Sequence, residues 1–390
     1  MITLTEAQHI IVQSIELMPI EEVDLLSSLG RSLAVDVASD TDMPPFRKAA
    51  VDGFACRHAD IGFPLKIMAT IPAGDHQEYH LLPLSCYKIM TGARVPAACD
   101  CIFMVEQSRI DEAGNALFTG NTTAMNVCEK GEDCLKDEIL LRKNTLIEPQ
   151  HIAILASTGQ ARVSVYRQPR VSVIVTGNEL VEPGTPTTAT TIRNSNGWQL
   201  MAQVTKAGAL PVYHGIVADD PEQLKNTIRN ACDTSEIVLI TGGVSMGDFD
   251  YIPDVLEQLG ANLLFREIAV QPGKPTLFAH VGQTAIFGLP GNPVSTLVQF
   301  NLLVYKHIQT TMGLEGHDRT ALLTMGIAHS RKKSDRQSFF PVTINEGRVF
   351  PVRYNGSAHI RSFAEAAGIA SFARGVLALG KGDPIKVHFL

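Results

Sequence analysis

Carboxylates and glycines recur in this chain where they would hold a phosphorylated ligand together with a divalent cation. The ten residues Thr241-Gly242-Gly243-Val244-Ser245-Met246-Gly247-Asp248-Phe249-Asp250 follow the apolar run Ile237 to Ile240, which reads as a buried parallel strand. After them Ile252 to Leu259 has apolar residues at helical spacing. Glycines at a strand end let the backbone turn tightly, so that several N–H groups around Gly242, Gly243, Ser245 and Gly247 converge on one anion. Asp248 and Asp250 directly after such a nest would repel a bare phosphate. They suit a site in which a divalent cation sits between the acids and the phosphate oxygens.

Three other segments carry residues of the same kind. Glu179 stands four residues after the strand Val171 to Val175, and Asp219-Asp220 follow a strand ending at Val217. The turn Pro290-Gly291-Asn292-Pro293 leads into a helix over Val294 to Met312, whose N-terminus favours negative charge. Lys274, within Gln271-Pro272-Gly273-Lys274-Pro275, could neutralise a phosphate or an oxyanion as a point charge. Each has a plainer reading. Asp219-Asp220-Pro221 is also a helix N-cap, Glu179 a solvated loop charge, and Lys274 a surface lysine in a turn. In Arg193-Asn194-Ser195-Asn196, Ser195 or Asn196 could simply cap the next helix. Convergence of the acidic sets at strand carboxyl ends favours a metal–phosphate site.

The elements around these residues divide the 390-residue chain into regions of different character. From Thr5 to Leu29 apolar and acidic residues alternate at helical spacing, with Thr5 and Gln8 as a capping pair and Pro19 as a break. Met43-Pro44-Pro45-Phe46 is a stiff hinge. Short extended runs separated by turns make residues 44–140 β-rich, in the manner of a small barrel. A helix over Glu148 to Thr158 ends at Gly159. Strand and helix then alternate, predicting a doubly wound parallel α/β sheet with its ligand at the strand carboxyl ends. The tail returns to short strands. The predicted architecture is multidomain α/β plus β: residues 1–168, a central α/β domain over 169–314, and a small all-β domain over 318–390.

Hydrophobic residues make up 45% of the chain and charged residues 19%, with a net charge of −7. No basic run is present, so nucleic acid is not expected as a partner. No stretch approaches the roughly 18 apolar residues of a membrane span, and the N-terminus has no signal-peptide pattern, so a cytoplasmic location is expected. The seven cysteines include no CxxC pair, and their spacing matches no common zinc pattern.

Thr241-Gly-Gly-Val-Ser-Met-Gly-Asp248, Pro272-Gly-Lys-Pro275 and Gly288-Leu-Pro-Gly-Asn-Pro-Val-Ser295 together resemble the molybdopterin-binding domain of the molybdopterin molybdenumtransferases. Met43-Pro-Pro-Phe46 with Ala50-Val-Asp-Gly-Phe-Ala55, Ile89-Met-Thr-Gly-Ala93 and Gly131-Glu-Asp133 resemble further motifs of that family, so the likeness covers nearly the whole chain. The resemblance implies a four-domain protomer that forms a homodimer with a site shared between chains. The implied reaction is Mg²⁺-dependent insertion of molybdate into adenylylated molybdopterin with release of AMP. It places Asp52, Thr91 and Asp133 from the β-rich region, and Asp219 and Asp250 from the α/β region, in the catalytic set. Glu179, Asn194, Ser195, Gly242, Gly243, Ser245, Gly247, Asp248, Lys274, Pro290, Asn292 and Pro293 would bind the substrate, and Glu179, Asp219 and Asp250 the metal. The pathway's adenylyltransferase is an implied partner.

The sequence departs from the family pattern at Arg47-Lys48-Ala49, at Glu267 and Gln271 near the Pro-Gly-Lys-Pro motif, and at Ser362 to Gly368. Lost positive charge bears on the incoming oxyanion more than on the pterin phosphate. The alternatives are a divergent paralogue that binds molybdopterin or acts as a scaffold, and a molybdopterin adenylyltransferase.

Overall fold

Thr3, not Thr5, opens the first helix: its hydroxyl accepts from the Glu6 amide while the Glu6 carboxylate accepts from the Thr3 amide. The helix spans Leu4–Gln13 and stops well short of Leu29. Ile20–Asp24, expected as helix, is a strand paired antiparallel with Arg162–Tyr166. A partner 140 residues away overrides local spacing there.

The computed structural model describes residues 1–244, 250–314 and 319–390. Ser245, Gly247 and Asp248 lie outside the described residues. The chain forms two compact units. One comprises Met1–Val35, Asn144–Glu148 and Arg162–Leu390, and the other Asp36–Lys143 and Pro149–Ala161. The Met43–Phe46 segment lies inside the second unit, past the Val35/Asp36 boundary, so it is no hinge between the units. Among the described residues no helix is long and apolar enough to cross a membrane.

In the first unit the α/β region runs β1 (Arg170–Thr176), α1 (Asn196–Lys206), β2 (Leu210–Val217), α2 (Pro221–Thr234), β3 (Ile237–Thr241), α3 (Ile252–Gln258), β4 (Asn262–Phe265), β5 (Leu277–Val281), β6 (Thr284–Leu289) and α4 (Pro293–Gln299). α4 continues through a π-helical stretch, Phe300–Val304, and a further helix, Tyr305–Thr311. The sheet order is β2-β1-β3-β6-β5-β4. The first four strands are parallel, as the alternating pattern predicts, while β5 runs antiparallel to both of its neighbours, β6 and β4, so the sheet is mixed. The five residues of β3 are all buried, because helices cover both faces. Val171, Val173, Val175 and Leu239 pack on one side with α1, the N-terminal helix and α4. Ile174, Val238 and Ile240 pack on the other with α2 and α3. This period-two division lets both faces of one strand close a core, leaving the carboxyl ends for chemistry.

His307 is buried in the first of these cores beside Phe278 and Phe287, and burial, aided by His280, pushes its imidazole down to about 3. Burial also lowers His214, His280 and His329. These rings are neutral when folded and take up protons once unfolded below their ordinary value, so their stabilisation is complete above about pH 6.5 and is lost as pH falls. Lowering pH from 6.5 to 5 should cost about 2 kcal/mol from His307 alone, seen as a lower urea midpoint. A flat midpoint over that range would contradict the assignment.

The C-terminal strands form a sheet around Gln337–Asn345, which pairs with both Arg348–Pro351 and Gly368–Phe372. Through Thr320–Met325 and Pro384–Phe389 the sheet closes on itself. The second unit carries a six-stranded sheet whose edges are Cys101–Met104 and Ser108–Ile110. Those edges are separated only by Val105–Gln107, so the sheet must curl until they come close. The result is the outline of the expected barrel, with no ladder joining the edges among the described residues.

Candidate functional site

β1, β2, β3 and β6 end side by side, and the loops leaving them enclose a cavity of about 600 Å³. Ten residues expected in the site line it: Glu179, Asn194, Ser195, Asp219, Gly242, Gly243, Asp250, Pro290, Asn292 and Pro293. Lys274 does not; its neighbour Pro275 does, and the Lys274 ammonium pairs with Glu267 at 2.9 Å.

Asp219 and Asp220 are adjacent but have different tasks. Asp220 Oδ1 accepts from the Gln223 amide at 2.8 Å and caps α2, with Pro221 in its first turn. Asp219 faces back across the sheet ends. Its Oδ1 accepts from Thr176 Oγ1 at 2.5 Å, and its Oδ2 accepts from the Asn178 amide at 3.1 Å. The Asp219 amide in turn donates to Asn178 Oδ1 at 3.2 Å. These bonds tie the end of β1 to the end of β2 and set the loop that carries Glu179.

At the end of β3, Gly242 has φ +96°, and a Cβ there would lie 2.3 Å from the Thr176 carbonyl oxygen. Only glycine lets β3 and β1 approach this closely while the chain turns. The third wall is held by small polar groups. Asn196 Nδ2 donates to Thr241 Oγ1 at 3.0 Å and to the Gly291 carbonyl at 2.7 Å. The Pro290 carbonyl accepts from Thr241 Oγ1 at 3.1 Å and Thr296 Oγ1 at 2.5 Å.

The rim is a loop returning from β1 to α1. Leu180–Val181 pairs in parallel with Ile192–Arg193, which sets Glu182 beside Asn194 at one end of the pairing and leaves Glu179 at the other, its carbonyl accepting from the Ile192 amide at 2.8 Å. Glu182, just beyond this pairing, accepts from Tyr213 Oη at 2.6 Å, Trp198 Nε1 at 2.9 Å and Asn194 Nδ2 at 3.5 Å. Burial would raise this carboxyl, but Tyr213, Trp198 and Asn194 outweigh it and hold it below the usual carboxylate range. Burial, then Glu182, pushes the Tyr213 phenol up.

In the second unit, Asp52 Oδ1 accepts from both the Thr91 hydroxyl and the Thr91 amide at 2.6 Å. Those bonds, hydroxyl first, lower its carboxyl. Asp133 lies in the Gly131-Glu132-Asp133 turn, its amide donating to the Met43 carbonyl at 2.9 Å.

Among the described residues no group of three or more His, Cys, Asp and Glu lies close enough together to hold a metal ion. Of the three carboxylates expected to hold a metal, Glu179, Asp219 and Asp250, Asp219 is the one that serves Thr176 and Asn178. Magnesium needs less than such a cage: one or two carboxylates, with substrate phosphates and water completing its oxygen shell. The hard-oxygen lining fits a cation that arrives with a phosphorylated ligand.

Sequence reasoning missed Thr176, Asn178, Glu182 and Tyr213. Thr176 and Asn178 were within reach, because Thr176 ends β1 and Asn178 stands beside Glu179 in the loop that follows. Nothing in the sequence couples Glu182 to Tyr213, 31 residues on.

Comparison with known proteins accords with this geometry. Residues 2–159 match the MoeA N-terminal region (domain I and II), 172–310 the probable molybdopterin binding domain, and 328–390 the MoeA C-terminal region (domain IV). A molybdopterin molybdenumtransferase of Bacillus subtilis is 33% identical over 382 residues, covering 94% of this chain and 89% of that protein. One from a Nostoc species is 36% identical over 304 residues, covering 75% of this chain and 70% of the relative. The crystal structure of a molybdopterin biosynthesis MoeA protein from Pyrococcus horikoshii superposes with a TM-score of 0.84 at 31% identity, covering 100% of this chain and 98% of that one. The chain belongs to the molybdopterin molybdenumtransferase (MoeA) family.

Proposed function

We propose that the chain is a molybdenumtransferase of molybdenum cofactor biosynthesis that inserts molybdate into adenylylated molybdopterin and releases AMP. The cavity at the ends of β1, β2, β3 and β6 carries the reading, because its glycine turn, carboxylates and helix N-terminus suit a phosphorylated, cation-accompanied ligand. The described lining holds Glu179, Asp219 and Asp250 against Arg193. Such a wall repels phosphate unless a cation accompanies it. Glu179 and Asp250 are the residues that would hold Mg²⁺, which when bound neutralises charge developing on the phosphoanhydride.

The chain's own groups bind and orient. The turn at Gly242 and Gly243 brings backbone toward the phosphates, and the Asp219 ties fix the loop of Glu179. Asp52, positioned by Thr91, and Asp133 belong to the proposal as residues acting on the substrate, with a homodimer as the working assembly. Asp52→Ala and Asp250→Ala should each abolish turnover with little change in thermal midpoint. A large fall in midpoint would instead assign those aspartates to the fold.

The Lys274–Glu267 ion pair favours a second reading, in which the chain binds the pterin nucleotide but inserts molybdate poorly. Nucleotide binding without AMP release would select it.

A further inference from the structure

Glu182 stands outside the cavity lining, yet it joins three separate elements that shape the rim. Its carboxylate gathers the Tyr213 hydroxyl from β2, the Trp198 indole N–H from the first turn of α1, and the Asn194 amide from the end of the rim loop. Asn194 is itself buried and lines the cavity, and its Oδ1 accepts from the Gly197 amide at 2.9 Å. Its Nδ2 also donates to Tyr213 Oη at 2.6 Å. Packing reinforces the bonds: a Cβ at Gly197 would lie 2.9 Å from Asn194 Nδ2 and 3.0 Å from the Tyr213 ring. The loop between the two arms is polar and exposed from Pro183 to Thr190, so it contributes little packing of its own.

From this geometry we infer that Glu182 is a positioning residue that fixes the cavity rim, and with it the affinity for the pterin nucleotide, by clamping the loop over 180–194 to Tyr213 and Trp198. The inference rests on reading the cavity as the pterin-nucleotide site. A carboxylate suits the task because it accepts all three donors at once, whereas an amide presents an N–H to at least one of them. Trp198 is the only tryptophan in the chain, half exposed and tilted against Tyr213 at 5.6 Å, so its emission reports the state of the clamp.

Two measurements on the full-length protein test the inference, using Glu182→Gln, Tyr213→Phe and Glu182→Asp. The first reads the ligand-free chain by amide hydrogen exchange. Glu182→Gln should speed exchange of the Ile192 and Asn194 amides at least tenfold, leave the β3 amides protected, and shift the Trp198 emission to the red. Unchanged rim exchange would overturn the clamp. The second titrates pterin nucleotide and molybdate separately. Glu182→Gln and Tyr213→Phe should each raise half-saturation for the nucleotide about tenfold without moving that for molybdate, and Glu182→Asp should recover part of the loss. Unaltered nucleotide half-saturation, or an equal loss for both substrates, would overturn the positioning role. Failure of the wild-type chain to bind the nucleotide would refute the functional reading instead, and the exchange experiment would still decide the clamp.

Discussion

Replacing Asp219 with alanine should lower kcat/KM for the pterin nucleotide by about 100-fold, with little loss of folded protein. The side chain accepts two hydrogen bonds that link β1 to β2, from the Thr176 hydroxyl and the Asn178 amide. Thr176 is 4% exposed, so without Asp219 its hydroxyl is left buried and unpaired. Hydrogen bonds to a charged group contribute roughly 1.5–3 kcal/mol each, and solvent reaches this half-buried carboxylate, so about 3 kcal/mol is the expected total. That corresponds to about 100-fold in an equilibrium or rate constant. The loss falls on the site because the freed segment carries Glu179. Asp219→Asn keeps the shape but turns a donor toward one of the two donors, so it should lie between alanine and wild type. Steady-state kinetics, with a thermal melt as control, checks both variants.

Gly242→Ala should destabilise the first unit by about 3–5 kcal/mol. Two costs add: a side chain at φ +96° is strained by about 1–3 kcal/mol, and the methyl group would lie 2.3 Å from a backbone oxygen that cannot swing aside. Gly243 is a useful contrast. Its φ of +60° is left-handed, but a Cβ would meet only the side chains of Ile252 and Thr176 at 3.2 Å, which can yield. Gly282, with φ +58° and open space around it, isolates the backbone strain. Urea unfolding should rank the alanine variants Gly242 well above Gly243, and Gly243 above Gly282. Equal losses at all three would mean that the close approach of β3 to β1 is unimportant.

Legibility in the sequence followed the range of the interactions. β3 was readable because a parallel strand covered on both faces is an apolar run, β1 and the edge strand β2 because they are rich in valine and isoleucine, and α1 to α3 because the helices between them keep one spacing. β4 was not, since Asn262–Phe265 is a short antiparallel edge strand whose identity comes from pairing with β5. Ile20–Asp24 failed for the same reason, with its partner beyond Arg162.

The cavity wall was legible because glycines and acids at strand carboxyl ends are local signals. Its electrostatics were less so. Lys274 reads as a free cation in sequence, yet the turn that presents it also brings Glu267 to 2.9 Å. Asp219 reads as a metal ligand or a cap, and only the fold shows its neighbour taking the cap. The Glu182 clamp depends on Tyr213 and Trp198 reaching one carboxylate from different elements, which no spacing rule encodes.

If this cavity performs transfer and not binding alone, one reaction mixture shows it. Purified chain should be mixed with adenylylated molybdopterin, Mg²⁺ and molybdate, and AMP followed against molybdenum retained on the pterin. AMP should be released in step with molybdenum incorporated, dependent on molybdate and lost in Asp52→Ala and Asp250→Ala. Tight nucleotide binding with no molybdate-dependent AMP release would instead make the cavity a binding site alone.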